Sequence, residues 1–402
     1  MHWAFAGMTA GGCAPSGFRR ILLPEASSRF LETSFMRLAT MLLATLLPLA
    51  ASPALAQSLE QMAGQMIVVG FVGNGVDDKG VVALRAEIAA GDIGGVMYLK
   101  TNVASRKAVE AMNTAFREAA PSGLPPFITL DQEGGLVERL DSAAGFKEIP
   151  DAASVAAKNT PAEARAIYDG LAQGVAAWGF NVNFAPVVDL AVNPNNQVIA
   201  KYGRAFGKDG KVVAKYAAEV IAAHHAAGLL TSLKHFPGHG SSTADSHEGF
   251  VDITKTWKDS ELEPYRELIS AGYEDMVMIG HLIDTNVDPS GMPSSLSKPW
   301  IEDKLRGELG FKGVVITDDL EMGAIRDHFS LKETVVNAVR AGVDVLLFSN
   351  TAYQRATLGD EVRAILLAEA EADPVFKARI EESYKRIVAL KARIGAENVQ
   401  AQ

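Results

Sequence analysis

From about residue 64 onward, short apolar runs alternate with longer amphipathic stretches. The runs fall at 66–70, 93–99, 127–131, 182–185, 229–233, 276–280, 313–317 and 343–348. Between them, stretches at 81–90, 106–119, 161–178, 211–227, 258–271 and 331–341 carry apolar residues at helical spacing. A strand buried on both faces reads as a continuous apolar run rather than an alternating one, the mark of a parallel sheet covered by helices. Eight such runs alternating with helices predict an α/β fold, a (β/α)8 TIM barrel in a single domain. An open doubly wound sheet is the competing fold, but no G-x-G-x-x-G turn follows the first run.

The polar residues at the run ends separate the two folds. Asp131 closes the third run, Asp189 follows the fourth, Lys234 and His235 the fifth, His281 the sixth and Asp318 the seventh. A barrel gathers these ends around one mouth, whereas an open sheet spreads them along a line. The last helical stretch, ending near Gly395, is expected to close the fold, with 397–402 as a tail.

Residues 1–56 carry a different pattern. Met36-Arg37 opens a nearly unbroken apolar stretch at 38–55, and Ala54-Leu55-Ala56 precedes Gln57. A basic start, an apolar core and a small-residue ending describe a secretory signal. The expected start is Met36, with cleavage after Ala56, leaving 57–402 as the barrel domain and 1–35 as an upstream extension. That places the protein in the periplasm or outside the cell, with no stable membrane insertion after cleavage.

Composition narrows the partners. A formal net charge of −10 and the absence of a long basic run argue against nucleic acid, which rewards basic patches. The single cysteine, Cys13, lies upstream of the signal, so the mature chain is expected to lack disulfides, cysteine–zinc sites and a thiol nucleophile.

The chemistry-bearing residues concentrate at 234–247. Lys234-His235-Phe236-Pro237-Gly238-His239-Gly240 is followed by Asp245-Ser246-His247. An aspartate two residues before a histidine, on a Gly/Ser-rich loop, accepts the imidazole Nδ1–H and leaves Nε2 free for proton transfer. Lys234 at a strand end needs a partner, because an unpaired charge is costly to bury. His239 reads as a loop-stabilising hydrogen-bonding group, and His224-His225 as packing or surface on a helix. His235, His239, Asp245 and His247 are poor zinc ligands, because Pro237 and Gly238 keep the first two off one helical face. No metal and no cofactor is expected.

Asp318-Asp319 follows the seventh run, where a carboxylate is held rigidly at the barrel mouth. Strand alternation lets at most one face the centre, so Asp318 is expected to be catalytic and Asp319 to cap the next turn. Asp131-Gln132-Glu133-Gly134-Gly135 ends the third run, with Asp131 suited to vicinal sugar hydroxyls and Arg139 to a second polar clamp.

These residues carry a family resemblance. Asp131-Gln132-Glu133-Gly134-Gly135, Arg204-Ala205-Phe206-Gly207, Lys234 through Gly240, Asp245-Ser246-His247, His281 and Thr317-Asp318-Asp319-Leu320 occur in order. The chain from about Gly64 to Leu347 resembles glycoside hydrolase family 3, and within it the single-domain β-N-acetylhexosaminidases that act on peptidoglycan fragments. The resemblance implies that Asp318 is the nucleophile, forming a covalent glycosyl–enzyme intermediate, and that His247 is the acid/base, oriented by Asp245. It also implies that Asp131, Arg139, Arg204, Lys234 and His235 hold a terminal N-acetylglucosamine. Leu136 departs from the pattern, where relatives carry an arginine. The 237–244 segment is expected to move His247 over the sugar.

Three other readings stay open on the residues. A neutral histidine in place of a carboxylic acid repels phosphate less, which suits a glycoside phosphorylase. A β-glucosidase of the same family would share the catalytic set, and a non-catalytic sugar-binding protein would keep only the clamp.

Overall fold

The computed structural model describes residues 57–394, so the readings of 1–56 and of the tail lie outside the described residues. Eight strands lie where the apolar runs predict them: β1 (Ile67–Gly70), β2 (Gly95–Met97), β3 (Phe127–Leu130), β4 (Val182–Asn183), β5 (Leu230–Phe236), β6 (Met276–Ile279), β7 (Val314–Thr317) and β8 (Leu346–Phe348). Every residue in them is buried, which is why the runs show no alternation. Their spatial order is β8-β1-β2-β3-β4-β5-β6-β7, all in parallel register. A bridge between Ile316 and Val345, with Thr317 N donating to Val345 O over 3.1 Å, joins β7 to β8. The sheet is a near-closed barrel, not an open one.

Helices cover the outside, and their ends are set by local chemistry. The helix Pro161–Ala177 starts with a capping box between Thr160 and Glu163, and Leu331–Ala341 starts with one between Ser330 and Glu333. The predicted 258–271 stretch divides into a short turn, Asp259–Leu262, and the helix Glu263–Ser270. The helix after β6, Pro299–Glu308, has no counterpart in the helical-spacing pattern. It is wound with i→i+5 bonds and buries Trp300, Ile301 and Leu305.

The bottom of the barrel is tied by charge. Asp344, fully buried just before β8, takes Arg306 at 2.6 Å, Arg379 at 2.6 Å and Arg386 at 3.2 Å. Two of these arginines lie on the final helix Pro374–Lys391, whose Lys391 also reaches Gln65 Oε1 and Gly94 O. That helix closes the fold. Among the described residues, no helix is long and apolar enough to cross a membrane.

One addition sits at the mouth. The chain leaving β5 runs through 237–250 and then pairs Val251–Asp252 with Leu282–Ile283, just beyond β6. The long loop is therefore anchored at both ends on neighbouring strands.

Candidate active site

The C-terminal ends of the strands and the loops that follow them line one pocket of about 370 Å³. Asp131, Arg139, Arg204, Lys234, His235, Asp245, His247 and Asp318 all line it, so every site residue expected from sequence is brought together.

Its floor is a lattice of alternating charges. Lys234, 1% exposed, places Nζ 2.6 Å from Asp131 Oδ1 and 2.7 Å from Glu133 Oε1. Arg139 donates to the other oxygen of Asp131 over 2.9 Å. Arg204 grips Glu133 with both prongs, Nε to Oε2 at 2.8 Å and an Nη to Oε1 at 2.7 Å. Burial alone would raise both carboxyl pKa values, but Lys234 with Arg139 at Asp131, and Arg204 with Lys234 at Glu133, outweigh it and hold both below the usual range. Each charge is compensated only because the others are present.

Glu133 is the member that sequence reasoning passed over. The signal was available: Arg204 and Lys234 together need more carboxylate than Asp131 offers, since buried cations are paired. Asp189 was noticed only for its place after the fourth run. Fully buried, it accepts from His235 Nδ1 at 2.7 Å and from the His239 amide at 2.7 Å, and thereby aims His235. The other ring nitrogen of His235 meets Arg204 at 3.3 Å.

Asp318 and Asp319 both line the pocket, contrary to the expectation that only one would, but they make different hydrogen bonds. Asp318, partly exposed in the pocket, accepts from the Asp319 amide at 2.8 Å. Burial pushes its pKa up, but the imidazoles of His235 and His281, that amide and His247 outweigh burial and bring it to about 2. Asp319 Oδ1 instead accepts from the amides of Glu321 and Ser349, at 3.0 and 2.8 Å. It braces the loop after β7 against the end of β8 and does not cap the short helix Gly323–Arg326, whose cap residue is Met322. His281, also fully buried, bonds Ser295 Oγ at 2.8 Å and the Asp319 carbonyl at 2.9 Å. Since a carbonyl only accepts, Nε2 carries the proton and Nδ1 receives the serine hydroxyl. His281 thus secures the backbone that presents Asp318.

His247 comes from the loop. Its Nδ1 lies 2.7 Å from Asp245 Oδ1, and the same oxygen accepts the His247 amide at 2.9 Å. The side chain is 65% exposed, and with Nδ1 engaged, Nε2 is the nitrogen left for proton exchange. The two nitrogens of His239 engage Ser242 and Ser246, and burial pushes its pKa down to about 4. His239 is loop structure, as expected. His224 is fully buried against Asn183 and the Val220 carbonyl, while His225 pairs with Asp275. Neither reaches the pocket. His235, His239 and His247 each turn Nδ1 toward a different partner, and among the described residues no cluster of His, Cys, Asp or Glu is arranged to hold a metal ion.

The loop's first half is pinned. Residues 237–242 are buried, Asn196 Nδ2 donates to the carbonyls of His239 and Ser242, and Glu261 Oε2 accepts from Gly240 N at 2.9 Å. Exposure begins at Thr243, so any swing of His247 pivots there rather than at Pro237. Leu136, carried by the left-handed Gly134 and Gly135, stands 76% exposed at the pocket's lip.

Glu261 yields a pH prediction. Burial raises its carboxyl pKa to about 8, above an ordinary 4.5. The folded state therefore holds a proton that the unfolded chain releases between these values, and stability is lost as pH rises through that window. Glu261→Gln keeps the neutral form. Urea unfolding at pH 5 and pH 9 should show the variant gaining roughly 3 to 4 kcal/mol relative to wild type between the two. A pH-independent difference would place the ionised carboxylate in the fold.

The sequence profile described as "Glycosyl hydrolase family 3 N terminal domain" matches residues 58–390. A β-hexosaminidase from Xylella fastidiosa is 36% identical over 291 residues, covering 70% of this chain and 82% of that protein. β-Hexosaminidase A from Pseudoalteromonas piscicida is 32% identical over 323 residues, covering 75% of this chain but only 54% of its own length. The structure of a family 3 β-N-acetylglucosaminidase from Paenibacillus superposes with a TM-score of 0.77 at 34% identity, over 86% of this chain and 64% of that one. The chain thus spans about half to two thirds of the length of these last two relatives.

Proposed function

The chain belongs to glycosyl hydrolase family 3, and on that premise we propose that it is a retaining β-N-acetylhexosaminidase. Its substrates are terminal, non-reducing β-N-acetylglucosamine residues of peptidoglycan fragments or chitin-type oligosaccharides. The observation that carries this reading is the shared pocket: Asp318, the Asp245–His247 pair and Asp131, Lys234 and Arg204 face one sugar-sized space, with Glu133 bracing the two cations from behind.

The chemistry follows from the side chains. Asp318 attacks the anomeric carbon while His247 Nε2 gives its proton to the departing glycosidic oxygen. The bond from carbon to the leaving sugar breaks as the bond to the carboxylate forms. Water then attacks the same carbon, His247 takes the water's proton, and Asp318 leaves as a free carboxylate. Asp245, hydrogen-bonded to Nδ1, holds the ring's orientation through both steps. Asp131, Lys234, Arg139, Arg204 and His235 offer acceptors and donors to the hydroxyl and acetamido groups of the bound sugar. The apolar stretch at 38–55 fits export, and wall fragments would be met in the periplasm or outside the cell.

A panel of p-nitrophenyl glycosides, with and without inorganic phosphate, tests the reading. The N-acetylglucosaminide should be turned over at least tenfold faster than the glucoside, with free sugar as product and retained configuration. Preference for the glucoside would make the protein a β-glucosidase, and N-acetylglucosamine 1-phosphate among the products would make it a phosphorylase.

A further inference from the structure

The loop that carries His247 touches the chain just beyond Asp318 along a seam of backbone atoms. Gly323 N donates to the His247 carbonyl over 3.3 Å, and Ala324 N donates to the Ser246 carbonyl over 3.2 Å. Both amides belong to the short turn Gly323–Arg326, which cannot satisfy its own first N–H groups. A second contact lies at the loop's far end. Phe250 stacks on His328 with ring centroids 3.6 Å apart and planes 17° from parallel, and meets Phe329 edge-on.

Gly323 has no conformational reason to be glycine. Its φ is not positive, and in a helical turn alanine is favoured over glycine. The reason is space. A β-carbon there would lie 2.8 Å from the His247 carbonyl oxygen and 3.3 Å from the Glu248 carbonyl carbon. Both are backbone atoms, so relief requires the loop itself to move.

We propose that Gly323 is a positioning residue for proton transfer: by carrying no side chain it lets the His247 loop dock five residues past Asp318, and so sets the acid/base at its working distance from the nucleophile. Phe250 against His328 is the second fastening of the same seam. This rests on His247 being the acid/base, and predicts that side chains at 323 impair protonation of the leaving group rather than attack by Asp318.

The test uses Gly323→Ala, Gly323→Val and Phe250→Ala, the last at a side chain 42% exposed where folding is not at stake. Hydrogen exchange of the 243–250 amides reads the seam directly. Values of kcat/KM for N,N′-diacetylchitobiose and for 2,4-dinitrophenyl N-acetylglucosaminide read its consequence, because only the first leaving group needs a proton. In Gly323→Val the loop amides should exchange faster, and hydrolysis of the disaccharide should fall at least tenfold, toward the roughly 100-fold that an ångström of misplacement can cost. The dinitrophenyl substrate should change less than about threefold, with Phe250→Ala showing a smaller shift in the same sense. Unchanged loop exchange, or equal losses on both substrates, overturns the proposal. Faster loop exchange in a protein whose wild type cleaves neither substrate would overturn the hydrolase reading while leaving the seam in place.

Discussion

Replacing Asp318 by alanine should lower kcat by about 10⁴-fold or more, the scale on which removing a covalent nucleophile acts. The alanine cannot form the glycosyl ester, and His247, suited to proton transfer, offers no substitute bond. Two features make the effect specific to chemistry. Asp318 is not part of the buried charge lattice, so its loss leaves Asp131, Glu133, Lys234 and Arg204 paired as before. Its own contacts are the pocket and a neighbouring amide. Folding should therefore be retained, and Kd for N-acetylglucosamine, measured by calorimetry, should stay within a few-fold of wild type. The neighbouring imidazoles and the Asp319 amide hold the carboxyl down at about 2, so it is ionised from pH 4 upward. Any loss of rate on acidification between pH 4 and pH 6 must come from another group. Near-native turnover by Asp318→Ala would remove the mechanism altogether.

His247→Ala should separate the two halves of the reaction. General acid catalysis contributes about 10²- to 10⁴-fold, and all of it is needed when the leaving group is a sugar alkoxide. Hydrolysis of N,N′-diacetylchitobiose should fall by that amount. With 2,4-dinitrophenolate leaving, kcat/KM should fall by less than about tenfold, because that oxygen departs without a proton. Its kcat should nevertheless drop, since the intermediate on Asp318 then waits for water that no base activates. Azide, which needs no base, should restore it and give the β-glycosyl azide. Equal losses on both substrates, with no azide effect, would move His247 out of proton transfer and into binding. The variant should fold normally, because the imidazole is largely exposed and its one partner, Asp245, is also partly in solvent.

The division between these two residues explains how much could be read before the fold was known. The eight apolar runs become eight strands because a barrel strand is buried on both faces, a property written in consecutive residues. Asp131, Lys234, His235 and Asp318 were legible for a related reason: each is a polar residue at the end of an apolar run. The Asp245–His247 pair is local, two residues apart, and its hydrogen bond is formed as the spacing suggested. The helix Pro299–Glu308 was not legible, because only Trp300, Ile301 and Leu305 of its 10 residues are buried, too few to write a repeating apolar face. Glu133 was legible only indirectly, through the surplus of cations over Asp131, since its partners Arg204 and Lys234 lie 71 residues and about 100 residues further along the chain.

Short-range pattern therefore determined the strands, their count and the residues at their ends, because backbone burial and loop chemistry act over a few residues. Which of those ends face each other was decided only by closure of the barrel. So were the pairing that keeps Lys234, Asp131, Glu133 and Arg204 charged, the aspartate that aims His235 and the seam between Gly323 and the His247 loop. Coulomb pairing and van der Waals contact depend on distance in space, and it is the folded barrel that makes residues a hundred positions apart into neighbours.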